Sequence, residues 1–501
     1  MAKRGKRKRK KRAAPTEAAA PPPTDDRLDA GTEDEEEKEE EEPPRPAAVE
    51  PPPARPLPRA SAPPSTHGLR AFLYHLFPRS VRRRSLSPWS TWGLGVATLC
   101  ALAIATLTGV LLMFYYVPSV ERAHGSVQDI VAVVPFGRLI RNLHRYAAHA
   151  AVICCVLHML RALLWGAYRR SHARVWLVGV GLLLVTLLTS FSGYLLPWDQ
   201  DAYWTVTVAT SLTSYIPGVG AQLESLLLGG AVVGQSTLIR FHMFHVMALP
   251  LLGAILLVIH LFRLRRAGGL ARPEARAEGP GEALIPADRI VMQRALTVAL
   301  VVGIVCVVLA QLWDVRLGPP ADLIRPDNPP KAPWFLVGFQ EIVSYSALLG
   351  GFVFPLVVVA VLALCPWLDG QPCDGAFMPG RFARAALGGS IAFTGAAVVA
   401  GVLLLGSGQT GPGSPLNPAG LALLAVLIVP ALALVKRRRG VALQTLIAGL
   451  VVALTIFTTV GWFFRGPDWR LEYHPGPGHY KRHDPGPSTT KAPAAGRRGE
   501  R

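Results

Sequence analysis

Four histidines recur at helical spacing inside long apolar stretches of the chain. His144 and His158 are 14 residues apart, and His245 and His260 are 15 apart. Four turns of an α-helix take about 14.4 residues, so each pair places two imidazoles on one helix face, about 21 Å apart along the axis. Ionisable residues are costly at membrane depth, and their presence there indicates function. One apolar stretch lies between the two that carry these pairs, so those two run in the same direction. The spacing therefore predicts iron or another metal between two facing pairs, His144 with His245 and His158 with His260.

Two imidazoles at each depth suit an iron porphyrin, which takes one axial ligand from each side. A zinc ion is a poorer fit, because it takes four close ligands and no cysteine or carboxylate accompanies either pair. Covalent haem attachment is not expected, because the sequence contains no Cys-x-x-Cys-His motif. The remaining histidines of this region have no partner at matching depth and are not assigned to iron: His149, His172 and His242.

Glycines repeat the histidine spacing in two neighbouring apolar stretches. Gly95 and Gly109 are 14 residues apart, and so are Gly179 and Gly193. Glycine has no side chain and lets a bulky planar group approach the helix closely. Small residues also occur at ordinary contacts between membrane helices, so a single pair would be a weak signal. Two glycine pairs that match two histidine pairs predict two clefts for flat cofactors.

Arginines lie one turn from two of the histidines. Arg141 precedes His144 by three residues, and Arg161 follows His158 by three. An arginine holds a carboxylate through two parallel hydrogen bonds, so both are predicted to bind haem propionates. The alternative is that these side chains simply reach out to the membrane interface. Arg240, near the start of another apolar stretch, is a weaker candidate for the same role.

Nine apolar stretches must position these residues, and each is long enough for a helix to cross a bilayer. They are centred in about 92–116, 139–165, 175–196, 239–263, 290–312, 342–364, 385–406, 419–435 and 441–463. The pattern predicts an all-α integral membrane protein in the lipid bilayer. Its first four spans form a haem-binding bundle, and about five further transmembrane helices follow.

The formal net charge of +19 does not indicate nucleic-acid binding, because of where the basic residues lie. With nine spans, the clusters KRGKRKRKKR, RSVRRR, YRRSHAR, RLRRAGGLAR, GRFAR and KRRR all fall on the side of the N-terminus. The positive-inside rule places that side in the cytoplasm. We therefore predict a multi-pass membrane protein with a cytoplasmic N-terminus and a periplasmic C-terminus.

Three stretches resemble the cytochrome b family, the quinol-oxidising membrane subunit of bc- and bf-type complexes. They are LIRNLH with LHMLR, SGYLLPWDQDAYW, and GQSTLIRFHMFHVMALPLL, and the resemblance, closest to the short bf-type protein, covers about 68–265. It implies that His144 and His245 ligate an outer, low-potential b haem and that His158 and His260 ligate an inner, high-potential one. It also implies an iron–sulfur protein or cytochrome c subunit as partner, a membrane quinone as substrate, and a dimeric complex. The location that it implies is a bacterial-type energy-transducing inner membrane.

The stretch LGPPADLIRPDNPPKAPWFLVGFQE resembles the small partner subunit of bf complexes, fused here to the same chain. Where that family has Pro-Glu-Trp-Tyr, with a glutamate that takes a quinol proton, this chain has Ala332, Pro333, Trp334 and Phe335. We predict that Pro333 and Trp334 line the quinol site. Glu341, at the predicted start of the sixth span, is the proposed substitute proton acceptor. Its alternative role is to cap the N-terminus of its own helix.

These features divide the chain into seven predicted parts. They are a disordered, charged and proline-rich cytoplasmic arm (1–66), an amphipathic surface helix (67–88), the dihaem bundle (89–265), a cytoplasmic linker (266–288), the quinol-site region (289–366), extra C-terminal spans (367–464) and an outward-facing tail (465–501). The predicted function is quinol oxidation at the outer face, with electrons passing through two b haems. The missing glutamate keeps one alternative open, a dihaem electron conduit or anchor of another respiratory oxidoreductase.

Overall fold

The computed structural model describes residues 80–82, 92–164, 166–169, 172–266, 284–326, 329–369, 380–405, 417–466, 469–471 and 473. The chain divides into two units, Met1–Ser65 and Thr66–Arg501. The predicted arm over 1–66 lies outside the described residues, as does the predicted tail beyond Tyr473.

The described elements are almost all helices. The first part contains β1 Ser80–Arg82, α1 Leu94–Met113, α2 Ala123–Ala132, α3 Gly137–Leu164, α4 Ala173–Tyr194, α5 Gln200–Thr213, α6 Gly220–Leu228, α7 Gln235–Met243 and α8 Leu249–Arg266. The second contains β2 Leu284–Pro286, α9 Ala287–Leu312, α10 Val337–Tyr345, α11 Phe354–Leu368, α12 Gly380–Leu405, α13 Pro418–Val435 and α14 Arg439–Phe463. In these ranges, nine helical segments are long and apolar enough to cross a membrane. The predicted all-α membrane fold is confirmed.

Two spans contain a π-helical turn directly before a proline-containing helix. Phe244–Ala248 joins α7 to α8, and Leu349–Val353 precedes α11. In each case the residue after the turn donates its N–H to a carbonyl five residues back. Pro250 and Pro355 follow at once. Because proline has no N–H, it cannot close a normal helical turn, and the chain accommodates one extra residue there.

The sixth span begins later than the sequence predicted. The prediction placed it at about 342–364, whereas the apolar segment runs over Leu349–Leu368. The short helix α10 ends before Ser346, which has extended backbone at φ −159° and ψ 113°. The Ser346 hydroxyl accepts a hydrogen bond from the Leu349 N–H at 3.3 Å, so it caps the next helix. Glu341 therefore lies inside α10 and does not cap a helix N-terminus.

The surface helix predicted over 67–88 is wrong at Ser80–Arg82. These residues form β1, which pairs antiparallel with β2 inside the predicted linker. Each strand satisfies backbone hydrogen-bonding groups of the other, a pairing that a local helical pattern does not reveal. The rest of the 67–88 segment lies outside the part of the chain that the structure describes.

The C-terminal helices pack against the second and third spans. One hydrophobic core joins Met159 of α3 and Val180 of α4 to Ile342 of α10 and Phe457 of α14. In the most apolar 18-residue stretch of α14, 61% of the residues are buried. In the corresponding stretch of the fourth span, Gln235–Arg266, the fraction is 0%. Helix α14 is therefore the centre of the C-terminal part, whereas the fourth span borders an open cavity.

Candidate haem and quinol site

A cavity of about 1830 Å³ runs between the first four spans and reaches the loop before α10. Its wall is mostly apolar, with polar groups concentrated along α3, in the second half of α4 and at the loop. All four predicted histidines and all four predicted glycines line it, together with Arg141, Arg161, Pro333 and Trp334. The structure thus brings together every predicted site residue except Glu341 and the weaker candidate Arg240.

The first histidine pair has the geometry of two ligands on opposite sides of a metal. The ring centroids of His144 and His245 are 6.1 Å apart, and their planes are 81° apart. His144 Nδ1 contacts the Ala105 carbonyl oxygen at 2.8 Å, and His245 Nδ1 contacts that of Thr189 at 2.9 Å. Because a carbonyl only accepts, each Nδ1 carries the hydrogen and each Nε2 keeps a free lone pair. Metal-binding histidines are held by carbonyls in the same way.

The second pair lies four turns farther along the same helices. His158 and His260 line the cavity, and the buried Nδ1 of His260 faces the Val175 carbonyl without reaching normal hydrogen-bond geometry. Within the described residues, no group of three or more His, Cys, Asp or Glu side chains is placed to hold a metal ion. Two separate imidazole pairs therefore fit iron porphyrins better than a four-ligand zinc site.

The π turn explains why the two histidine spacings differ. His144 and His158 lie 14 residues apart on the uninterrupted helix α3, whereas His245 and His260 lie 15 apart. His245 is inside the π turn Phe244–Ala248, which takes up one additional residue. The longer spacing therefore still leaves His245 and His260 on one face of the fourth span.

Each predicted glycine lies directly against one histidine ring. A Cβ atom added at Gly109 would stand 3.0 Å from His144 Cε1, and one added at Gly193 would overlap the His245 ring. The corresponding distances are 3.3 Å from Gly95 to His158 Cε1 and 3.4 Å from Gly179 to His260 Cε1. A side chain at Gly193, Gly109 or Gly95 would therefore press on its imidazole, whereas a Cβ at Gly179 would make an ordinary contact. The first three glycines make room for the ligands themselves.

The two predicted arginines lie at opposite ends of the cavity. Arg141 donates to the carbonyls of Val315 at 2.7 Å and Arg316 at 3.3 Å. The Arg161 guanidinium lies 5.9 Å from the centre of the Trp92 ring. Both side chains remain next to the space that a cofactor carboxylate would enter, so their predicted role stands as a proposal.

Two other arginines differ from the sequence expectation. Arg240 packs against Gly229, which has a φ of +68°, and does not line the cavity, so the geometry does not support its predicted role. Arg145 does line the cavity, with its guanidinium 4.9 Å from the centre of the Tyr194 ring, and the sequence analysis missed it. Its position immediately after His144 was the available signal.

Glu341 lies away from the cavity, in a buried ion pair. It is 0% exposed, and Arg465 Nη2 lies 2.7 Å from its Oε1. Arg465 Nε donates to both carboxylate oxygens, at 2.9 and 3.0 Å, and the Tyr345 hydroxyl donates to Oε1 at 2.7 Å. Protonating this carboxylate would leave the Arg465 charge buried without compensation. The geometry therefore does not support Glu341 as the proton acceptor.

The loop before α10 is fastened so that it faces the cavity. The Gln340 side chain accepts the Ala332 N–H at 2.8 Å, which ties the loop to the first residues of α10. Pro333 is buried, and the Trp334 indole N–H donates to His149 Nδ1 at 3.0 Å. Sequence spacing excluded His149 as an iron ligand but did not reveal this contact.

Comparison with known proteins places the four-span region in one family. The family described as Cytochrome b/b6/petB matches residues 84–268. Cytochrome b6 of Chlamydomonas reinhardtii is 41% identical over 175 residues, which are 35% of this chain and 81% of that protein. Cytochrome b6 of Acaryochloris marina is 40% identical with the same coverage.

Two longer matches extend beyond this region. Cytochrome b/c1 of Bradyrhizobium diazoefficiens is 34% identical over 297 residues, which are 57% of this chain but only 42% of that protein. A chain of a solved hyperthermophilic respiratory Complex III has the same fold, with a TM-score of 0.59 at 24% identity, and the match covers 78% of this chain and 97% of that one. The two cytochrome b6 relatives, each covered over 81% of its length, show that the chain belongs to the cytochrome b family, whose members bind b-type haem.

Proposed function

We propose that this chain is the cytochrome b subunit of a membrane quinol:electron-acceptor oxidoreductase with two b haems. The observation that carries the proposal is a single cavity that joins two facing histidine pairs to the loop at 333–334. When bound, two such haems supply one-electron transfer across the membrane. His144 with His245 would hold the outer haem, and His158 with His260 the inner one.

The surrounding residues orient the imidazoles and place charges for the haems. The carbonyls of Ala105 and Thr189 hold the outer pair with Nε2 facing inward. Arg141 and Arg161 offer cations at the two cavity ends, where haem carboxylates would lie. Quinol would bind at the outer end of the cavity, against the apolar faces of Pro333 and Trp334.

Several wider assignments rest on the family and on charge. The basic clusters support a cytoplasmic N-terminus and a periplasmic C-terminus in an inner membrane. An iron–sulfur protein or a cytochrome c subunit would take one electron at the outer face, and the name of the Bradyrhizobium relative pairs cytochrome b with c1. We also propose that the complex is dimeric.

One observation favours a second candidate, a dihaem electron conduit without a bifurcating quinol site. Pro333 replaces the expected glutamate, and Glu341 is locked to Arg465. A conduit of this kind would need the histidine pairs but no proton acceptor at the outer end.

Quinol-driven reduction of the purified complex separates the two functions. With the inner site blocked, a short-chain quinol should reduce the b haems, as followed by their absorbance. A quinone analogue that fills the outer site should prevent this reduction. Reduction that survives the outer-site analogue would favour the conduit. A spectrum that quinol never changes would contradict the proposed function.

A further inference from the structure

The hydrogen bond between Trp334 and His149 determines the protonation of the imidazole. The indole Nε1 can only donate, and it lies 3.0 Å from His149 Nδ1. Nδ1 must therefore be the unprotonated nitrogen, because a protonated Nδ1 could not accept this bond. The proton of the neutral ring is then on Nε2, which makes His149 a hydrogen-bond donor at Nε2.

His149 lines the cavity near the outer histidine pair but on a different face of α3. Five residues after His144, it lies about 7.5 Å along the helix axis and about 140° around it. It is therefore close to the outer haem position without competing for iron. The loop residues Pro333 and Trp334 line the same part of the cavity wall.

Two other polar side chains that line the cavity donate hydrogen bonds to backbone carbonyls. The Tyr146 hydroxyl donates to the Trp313 carbonyl at 3.2 Å, and the Lys331 ammonium donates to the Trp462 carbonyl at 3.1 Å. In the part of the chain that the structure describes, no group pairs with His149 Nε2. This N–H therefore remains available to a ligand that enters the cavity.

We propose that His149 binds the quinol by donating its Nε2–H to one ring oxygen, and that Trp334 is the positioning residue that keeps His149 in this tautomer. The inference rests on the proposed quinol-oxidising function and names the polar contact of that site. Both a quinol hydroxyl and a quinone carbonyl have an oxygen lone pair that accepts this bond. His149 keeps its proton throughout, so its role is to hold the ring and does not include taking a quinol proton.

Two amide substitutions distinguish two roles of His149, which are to bind the quinone and to hold the loop through Trp334. In His149→Asn the amide occupies roughly the position of Nδ1, so it can still accept from Trp334 but offers nothing at the position of Nε2. In His149→Gln the longer amide reaches the position of Nε2 and restores a donor there. We expect His149→Asn to weaken binding of a short-chain quinone by about tenfold, and His149→Gln to stay within about threefold of the unmodified complex.

The affinities are measured by equilibrium titration of the purified complex, alongside kcat/KM for the corresponding quinol and the b-haem spectrum. Trp334→Phe, which removes the indole N–H but keeps an aromatic ring, should weaken binding less than His149→Asn. If His149 only fastens the loop, the order reverses, and His149→Gln and Trp334→Phe become the damaging variants. That order, or equal affinity in all variants, would overturn the assignment. If the unmodified complex binds neither menaquinone nor ubiquinone analogues, the proposed function itself fails.

Discussion

A protein in which His144 is replaced by leucine should retain one b haem per chain instead of two. Leucine removes an axial ligand from the pair that His144 forms with His245, whose rings face each other across 6.1 Å. A non-covalent haem that loses one of two protein ligands loses most of what holds it in place. The second pair lies about 21 Å away along the helix axis, so it should keep its haem. Haem extraction with protein quantification measures the ratio.

The pairing itself can be tested by comparing four single variants. His144→Leu and His245→Leu should remove the same spectral component, and His158→Leu and His260→Leu should remove the other. His242→Leu is the matched control, because His242 also lines the cavity but stacks on Tyr116, with ring centroids 5.5 Å apart. It should retain both haems. Loss of different components from His144→Leu and His245→Leu would disprove the pairing.

Replacing Glu341 with glutamine should destabilise the protein without acting on quinol chemistry directly. The carboxylate is 0% exposed and lies 2.7 Å from Arg465 Nη2, which is itself buried. Removing one charge of a buried pair leaves the other without compensation and costs about 3–5 kcal/mol. Thermal unfolding in detergent, followed by loss of helical signal, should show a clearly lower midpoint. The pair joins α10 to the residue that follows Phe464, so the docking of α14 should weaken first.

Two further variants control for this effect. Glu341→Met combined with Arg465→Met should recover most of the lost stability, because an apolar pair of similar size has no charge to compensate. Arg138→Gln removes an exposed ion pair, because the side chains of Arg138 and Asp314 are 61% and 62% accessible. This variant should lower the free energy of unfolding by less than about 1 kcal/mol. If the Glu341→Gln protein keeps the unfolding midpoint of the unmodified protein but no longer oxidises quinol, the carboxylate is the proton acceptor after all.

Periodic features could be read from the sequence because each is local. Nine apolar stretches predicted nine spans, since a bilayer requires about 20 apolar residues from any crossing helix. The histidine and glycine spacings predicted which residues share a helix face, and the structure brings these residues into one cavity. The two histidine-bearing spans run in the same direction because one span lies between them, and this predicted which imidazoles are level with each other.

Contacts between distant segments could not be read in this way. Arg465 lies 124 residues after Glu341, and no local pattern indicates that they meet. The same holds for the contact between Trp334 and His149, 185 residues apart, and for the pairing of β1 with β2. The break at Ser346 moved Glu341 from a predicted helix start to a helix interior. By contrast, Pro250 together with the 15-residue spacing was a usable signal for the π turn.

Haem stoichiometry of the purified, unmodified protein tests the central claim most directly. Reduced-minus-oxidised spectra combined with haem extraction should give two non-covalent b haems per chain, and both should be released by acidified organic solvent. A ratio of one, or haem that stays covalently attached to the polypeptide, would contradict the assignment of two facing histidine pairs.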